Sequence, residues 1–324
     1  MKKKCPICKK GKSRRVCIIK DNETICSKCC AEIRGNSCVG CQHYSLNHQH
    51  ELLKVNKSSN SKFIAILSPE IDEEVDLALE LLEQNQFSVA ELKIKQLLEK
   101  YPTYHQTNYA MGVIEIQNKN FDEALIYLNK ATDIYPIFSE AFYNKAIIYK
   151  KKEDLGMMAS EFLSLMKIED SNSELYQIAK KFTDMIVETF GNVAIEEYIK
   201  SDELCKRAFE YCDIKDYSKA KEYFEKSIVF CDKIIQTHGN LGLCCAALGQ
   251  KEKALEHFNR SLEIDPQYEP SIINKSLINS RSPDELKAYF RDIKKIENIR
   301  YYKDYKPEKK SLMKRFLEKI KDSI

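Results

Sequence analysis

No stretch of this 324-residue chain is apolar over the ~20 residues that a membrane-spanning helix requires. The longest candidate is Phe63-Ile-Ala-Ile-Leu67. The opening MKKKCPICKK has the positive charge of an export leader but no apolar segment after it. The cysteines are therefore expected to stay reduced, and the expected address is the cytoplasm. Catalytic signatures are also missing. The phosphate-cradling G-x-x-x-x-G-K, the dinucleotide G-x-G-x-x-G, the metalloprotease H-E-x-x-H and the hydrolase G-x-S-x-G do not occur. The six histidines are scattered, and three of them, His43, His48 and His50, follow a cysteine cluster. With no reactive constellation, the expected protein is not an enzyme.

Charge is present in both signs but unevenly. The formal total is +3, yet residues 1–50 carry +8, residues 71–297 carry −11 and residues 298–324 carry +5. An acidic middle with basic ends is either a set of solvated faces or a device for steering partners.

Eight of the thirteen cysteines fall between Cys5 and Cys41. Cys5-x2-Cys8-x17-Cys26-x2-Cys29 has the spacing of a four-thiolate zinc site, in which each C-x-x-C pair turns two sulfurs toward one ion. Cys17, Cys30, Cys38 and Cys41 remain for a second tetrahedral site, so the expectation is two structural zinc ions, with His43, His48 or His50 able to replace a cysteine. Disulfides and a redox C-x-x-C are the competing readings. All-thiolate coordination closes the metal to substrate, which suits a structural role. Metal would also stabilise a 50-residue segment too poor in large apolar residues to fold alone.

The same segment offers Lys2, Lys3, Lys4, Lys9, Lys10, Lys12, Arg14 and Arg15 as a basic arm. Nucleic acid is the alternative partner there. Two loaded sites would cut the +8 to about +4, and Tyr44 is the only aromatic available for base stacking. The segment resembles cysteine-rich leaders of some microbial repeat proteins over Arg15-Val-Cys17, Cys26 to Cys30 and Cys38 to Cys41, a resemblance that implies no activity.

Residues 51–70 read as a linker, through the unpatterned KVNKSSNSK to a helix start with Ser68 as cap and Pro69 in the first turn. Beyond it a 34-residue register appears. Ala90, Ala124 and Met158 are 34 apart, as are Ala220 and Ala254. Pro102, Pro136 and Pro266 close their units, and Phe87, Phe121 and Tyr217 stand three residues before an alanine, where an aromatic would wedge between hairpins. In residues 235–268, Leu241, Leu255, Phe258 and Leu262 lie at helical spacing, Gly242 and Ala254 allow two helices to cross, and Gly249 marks the turn. These positions resemble the tetratricopeptide repeat. The resemblance implies an all-α solenoid of helical hairpins, with units 71–104, 105–138, 139–172, 201–234 and 235–268, an irregular stretch 173–200, and a cap at 269–297. Cys205, Cys212, Cys231, Cys244 and Cys245 lack ligand spacing and read as small buried hydrophobes.

In that family the first helix of each hairpin lines the concave side. The resemblance therefore implies a partner groove at Tyr109, Val113, Tyr143, Asn144, Ile147, Phe209, Asn240, Leu243, Ile273 and Asn274; the competing reading places Tyr109 and Tyr143 in the inter-repeat core. Chaperone-docking members hold a terminal carboxylate with Lys, Arg and Asn, but Glu140, Asp202 and Gln236 occupy the corresponding places here. An amphipathic helix or an extended apolar peptide suits this wall better. Residues 298–324 read as a basic amphipathic helix, with Leu312, Met313, Phe316, Leu317 and Ile320 on one face. It could touch an anionic membrane through 308–322 or dock on the acidic array. The expected function is a non-catalytic interaction scaffold that binds a protein or peptide, with the zinc module as a second contact.

Overall fold

The computed structural model describes residues 67–291 continuously and, before them, residues 4, 6, 7, 9, 15–17, 23–26, 29 and 30. The chain divides into two units, Met1–Ile66 and Leu67–Ile324. In the first, β1 (Arg15–Cys17) pairs antiparallel with β2 (Glu23–Ile25), with Val16 opposite Thr24. Ile25, the last residue of β2, is fully buried and clusters with Cys17, Cys26 and Cys29.

Among the described residues the second unit holds thirteen helices. Five antiparallel pairs are α1 (Pro69–Glu83) with α2 (Phe87–Lys100), α3 (His105–Gln117) with α4 (Phe121–Ile134), α5 (Ser139–Lys151) with α6 (Leu155–Met166), α8 (Ile195–Asp213) with α9 (Tyr217–Phe230), and α10 (Ile235–Ala247) with α11 (Lys251–Ile264). A single helix, α7 (Glu174–Thr189), stands between the third and fourth pairs, and α12 (Glu269–Asn279) and α13 (Pro283–Arg291) end the described chain.

The register is a packing register. Second helices bury the same three positions: Ala90, Ile94 and Leu97; Ala124, Leu128 and Ala131; Ala220, Phe224 and Ser227; Ala254, Phe258 and Ser261. The small residue admits the neighbouring helix and the large one fills the seam. On the first helices, a Cβ at Gly112 would stand 2.8 Å from Leu128, and one at Gly242 2.8 Å from Phe258. One turn closes every pair. The residue at turn position 85, 119, 153, 215 or 249 is left-handed, with φ between 59° and 73°. The next N–H then reaches back to the carbonyl five residues earlier, as Asn120 does to Glu115 (2.9 Å) and Gln250 to Cys245 (2.8 Å). Only Gly249 is a glycine; Asn85, Lys119, Glu153 and Lys215 hold the same conformation. Helices α2, α4 and α11 end two residues before Pro102, Pro136 and Pro266. The core runs along the array as successive clusters, as expected where each repeat packs on its neighbours.

Four expectations need correction. Ser68 begins α1 but its hydroxyl does not cap the backbone; it donates to the Glu70 carboxylate (2.8 Å), while its N–H donates to the Tyr104 hydroxyl (2.9 Å). The irregular stretch 173–200 is not a unit of its own. It forms the lone α7 and the first turns of α8, so the boundary at 200/201 falls inside a helix, and α6 packs directly on α8. Phe87 is exposed rather than wedged. The cap departs from a repeat: α13 does not fold back on α12 but packs on α10, burying Leu286 and Phe290 in the cluster that contains Leu243. Residues 292–297 and the basic segment 298–324 lie outside the described residues, as does most of the linker.

Candidate partner-binding wall

The first helices carry the wall, and their two halves differ. On α3 and α5, Tyr109, Val113, Tyr143, Asn144 and Ile147 are all half-buried. The Asn144 amide donates to the Tyr109 hydroxyl (3.1 Å), bridging neighbouring hairpins. The Tyr109 ring lies 4.7 Å from Phe138. Burial, helped by the nearby Glu140 carboxylate, pushes the Tyr109 phenol up to about 12, so it stays a neutral hydrogen-bonding group. Tyr143 rests 6.4 Å from Phe162. Each tyrosine ring thus packs against a core aromatic while the residue as a whole stays half-buried.

Phe209 on α8 is half-buried, edge-on to Phe224 at 5.4 Å. Beside it stands a charged cluster that the sequence reading did not single out. The Lys206 ammonium donates to both Asp154 oxygens (2.7 and 2.9 Å) and pairs with Asp202 (2.8 Å), fastening α8 to the start of α6. Burial raises the Asp202 carboxyl and Lys206 opposes it. Gly156 is required here, since a Cβ would collide with the Asp202 carboxylate. The available signal was the i, i+4 spacing of Asp202 and Lys206.

The wall expected at the other end is closed. Asn240 (2% exposed), Leu243 (5%) and Asn274 (6%) are buried, and only Ile273 remains open, at 48%. Along α10, every residue from Thr237 to Ala246 is buried. The Asn240 amide is turned inward onto the Gln236 carbonyl (2.8 Å), and α13 lies against this helix.

Of the metal candidates, Cys5, Cys8, Cys38 and Cys41 lie outside the described residues. Cys17, Cys26 and Cys29 are buried together, and Cys30 packs at their edge. Cys17, assigned by the arithmetic to a different ion from Cys26 and Cys29, thus shares their cluster. The Cys29 N–H points at the Cys26 sulfur (3.5 Å). Among the described residues no group of three or more His, Cys, Asp or Glu side chains is placed to hold a metal. In the array Cys205, Cys212, Cys231, Cys244 and Cys245 are all buried, and burial raises the Cys205 and Cys245 thiols to about 11. Among the described residues no helix is long and apolar enough to cross a membrane.

Family models for the tetratricopeptide repeat match residues 75–136 and 235–268. The chain therefore carries tetratricopeptide repeats, within an all-helical solenoid. Among solved structures, the TPR domain of P58(IPK) is similar at 14% identity, covering 65% of this chain and 65% of that domain (TM-score 0.32). The TPR2AB domain of yeast Sti1 in complex with pHSP90 is 16% identical, covering 70% and 88% (TM-score 0.32). YrrB, a TPR protein with an unusual peptide-binding site, is 15% identical, covering 69% and 97% (TM-score 0.31). No curated protein matches the sequence.

Proposed function

We propose that the chain is a non-catalytic scaffold that holds an apolar or amphipathic segment of a partner protein on the wall formed by α3 and α5. Tetratricopeptide repeats generally serve protein interaction, and the observation that carries the reading is local. Tyr109, Val113, Tyr143 and Ile147 keep part of their apolar surface accessible beside one oriented amide, Asn144. The equivalent surface on α10 is sealed by the chain itself. A few aromatic anchors with a hydrogen-bonding group between them suit a helix or an extended apolar strand. Glu140, exposed at the rim, disfavours a terminal carboxylate as ligand.

Capture of partners from the source cell tests this. The Tyr109→Ala/Tyr143→Ala chain should lose its principal protein partner at least tenfold. Val113→Glu, which disturbs neither aromatic contact, should do the same. Retention by both variants, or recovery of nucleic acid in a salt-sensitive manner through residues 1–50, would sink the reading.

The N-terminal segment is proposed to hold two structural zinc ions through Cys5, Cys8, Cys17, Cys26, Cys29, Cys30, Cys38 and Cys41 and to add a second contact. Support comes from the spacing, and from the burial of Cys17, Cys26 and Cys29 in one cluster with Cys30 packed against it. Elemental analysis with X-ray absorption should give two zinc per chain with sulfur ligands throughout. Less than one equivalent of metal, or an oxygen in the shell, would remove the module.

A further inference from the structure

The first hairpin leaves apolar surface open that the register elsewhere conceals. Leu77, Met111 and Lys145 stand 34 residues apart at the same position of α1, α3 and α5. Met111 is 3% exposed, clustered with residues of the preceding hairpin, and Lys145 is 6% exposed, paired with Glu161, whereas Leu77 is 55% exposed. Phe87, Val89 and Leu92 on α2 are exposed as well. A solenoid end of this kind needs a cover with a polar outer face.

The surface also specifies the charge of its cover. Helix α1 carries Glu70, Asp72, Glu73, Glu74, Asp76, Glu80 and Glu83 and no basic residue. Among the described residues none of these seven takes part in an ion pair. A complementary segment would be amphipathic, basic and about four turns long.

The chain contains one. Residues 308–322 are fifteen long, the length of α1, with Leu312, Met313, Phe316, Leu317 and Ile320 at one helical face and Lys310, Lys314, Arg315, Lys319 and Lys321 around it. Helix α13 itself runs back along the array. Lys287 lies over Gly249 in the α10–α11 turn, and three residues later Phe290 meets Tyr217, at the start of α9, at 5.9 Å. The chain thus leaves the described residues heading back along the array. Sixteen residues, 292–307, span up to about 50 Å when extended. Five steps of packed helices, from α9 through α8, α6, α5 and α3, at about 8–10 Å each, separate α9 from α1.

We infer that residues 308–322 dock as a helix on the open, acidic end of the same chain, seating their apolar face on Leu77 and on the exposed side chains of α2. Tethering favours this arrangement over a second copy, since the effective concentration is on the order of millimolar.

Zero-length carbodiimide cross-linking of the full chain, read by mass spectrometry, tests it. Links should join Lys310, Lys314, Lys319 or Lys321 to Glu73, Glu74, Asp76 or Glu80 within one copy. They should fall at least fivefold in Leu77→Glu, in Leu317→Glu and in 0.5 M salt. Leu77 is exposed, so unchanged dichroism and melting serve as folding controls. Tyr143→Ala should leave the links intact, which separates this docking from the partner wall. Links to α3 or α5 instead, links only between isotopically distinguished copies, or links insensitive to both substitutions would overturn it. So would capture of the segment by phosphatidylserine vesicles at the same affinity in wild type and Leu77→Glu.

Discussion

The two ends of the array solve the same packing problem with different materials. Helix α10 buries Thr237, His238 and Asn240 in its first half, is small and apolar from Leu241 to Ala246, and is enclosed along that whole length. Helices α3 and α5 occupy the same place in their repeats, yet they bury Thr107, Asn108, Glu115 and Lys145 and leave one face half-open. The Asn108 amide satisfies the Pro102 and Tyr104 carbonyls (2.9 and 2.7 Å), and Thr107 reaches the Tyr101 carbonyl (2.8 Å). Buried polar groups that are satisfied fix orientation more than they add stability. The sealed end therefore anchors the array, while the open end holds a shaped surface in place.

The largest test of that contrast is at Lys145. Its ammonium pairs with Glu161 at 3.0 Å, both side chains are almost inaccessible, and it also lies over the Phe142 ring. Burial raises the Glu161 carboxyl and Lys145 lowers it. Lys145→Met alone should cost about 3–5 kcal/mol in denaturant unfolding, because Glu161 is left buried without its counter-charge. The double change with Glu161→Leu should return to within about 1 kcal/mol of wild type or exceed it. If the single change costs no more than the double, the pair does not organise the open half.

A smaller loss is expected from the sealed half. Leu286 is fully buried where α13 meets α10, and Leu286→Ala should cost about 2–4 kcal/mol. Because repeats communicate through neighbours, amide exchange should accelerate in α10 and α13 and stay unchanged in α3 and α5. Uniform acceleration would mean that the two halves are not separable.

The 34-residue alanines, the closing prolines and Gly242 made the hairpins legible, because a small residue at a helix crossing is a local demand of packing. The burial of Asn240, Leu243 and Asn274 was not legible. Whether a wall residue faces solvent depends on the route of a distant helix, and nothing in PDELKAYFR says that it will cross α10 instead of pairing with α12. Lys145 was equally silent, for a lysine on a helix is ordinarily solvated and its buried partner stands sixteen residues away. The turns were half-legible: Gly249 announces a left-handed residue, but Lys119, Glu153 and Lys215 adopt it without the glycine. The cysteine pattern was the sharpest chemical signal in the chain, and half of its members fall outside the described residues.

The smallest expected effect depends on pH. His105 and Ile235 both open the first helix of their repeats and both are buried. The His105 ring is packed among Tyr104, Tyr135 and Phe138 at 4.9, 4.6 and 5.3 Å, and its Nδ1 has no hydrogen-bond partner. Burial drives its pKa down to about 4. The unfolded chain takes up this proton near the ordinary histidine value of about 6.5, so between those values the unfolded state binds more protons than the folded one. Stability from this site is complete above the unfolded value and is lost as pH falls toward 4, by on the order of 2 kcal/mol. His238, stacked on His257 in the sealed half, is shifted the same way by burial, so the wild-type profile sums both ends. His105→Phe should remove only the open half's share, flattening the fall in melting temperature between pH 7 and pH 4.5 by part of its slope. An unchanged slope would show that acid sensitivity resides with His238 and the sealed repeats, and would reverse the assignment of the more polar core to the open end.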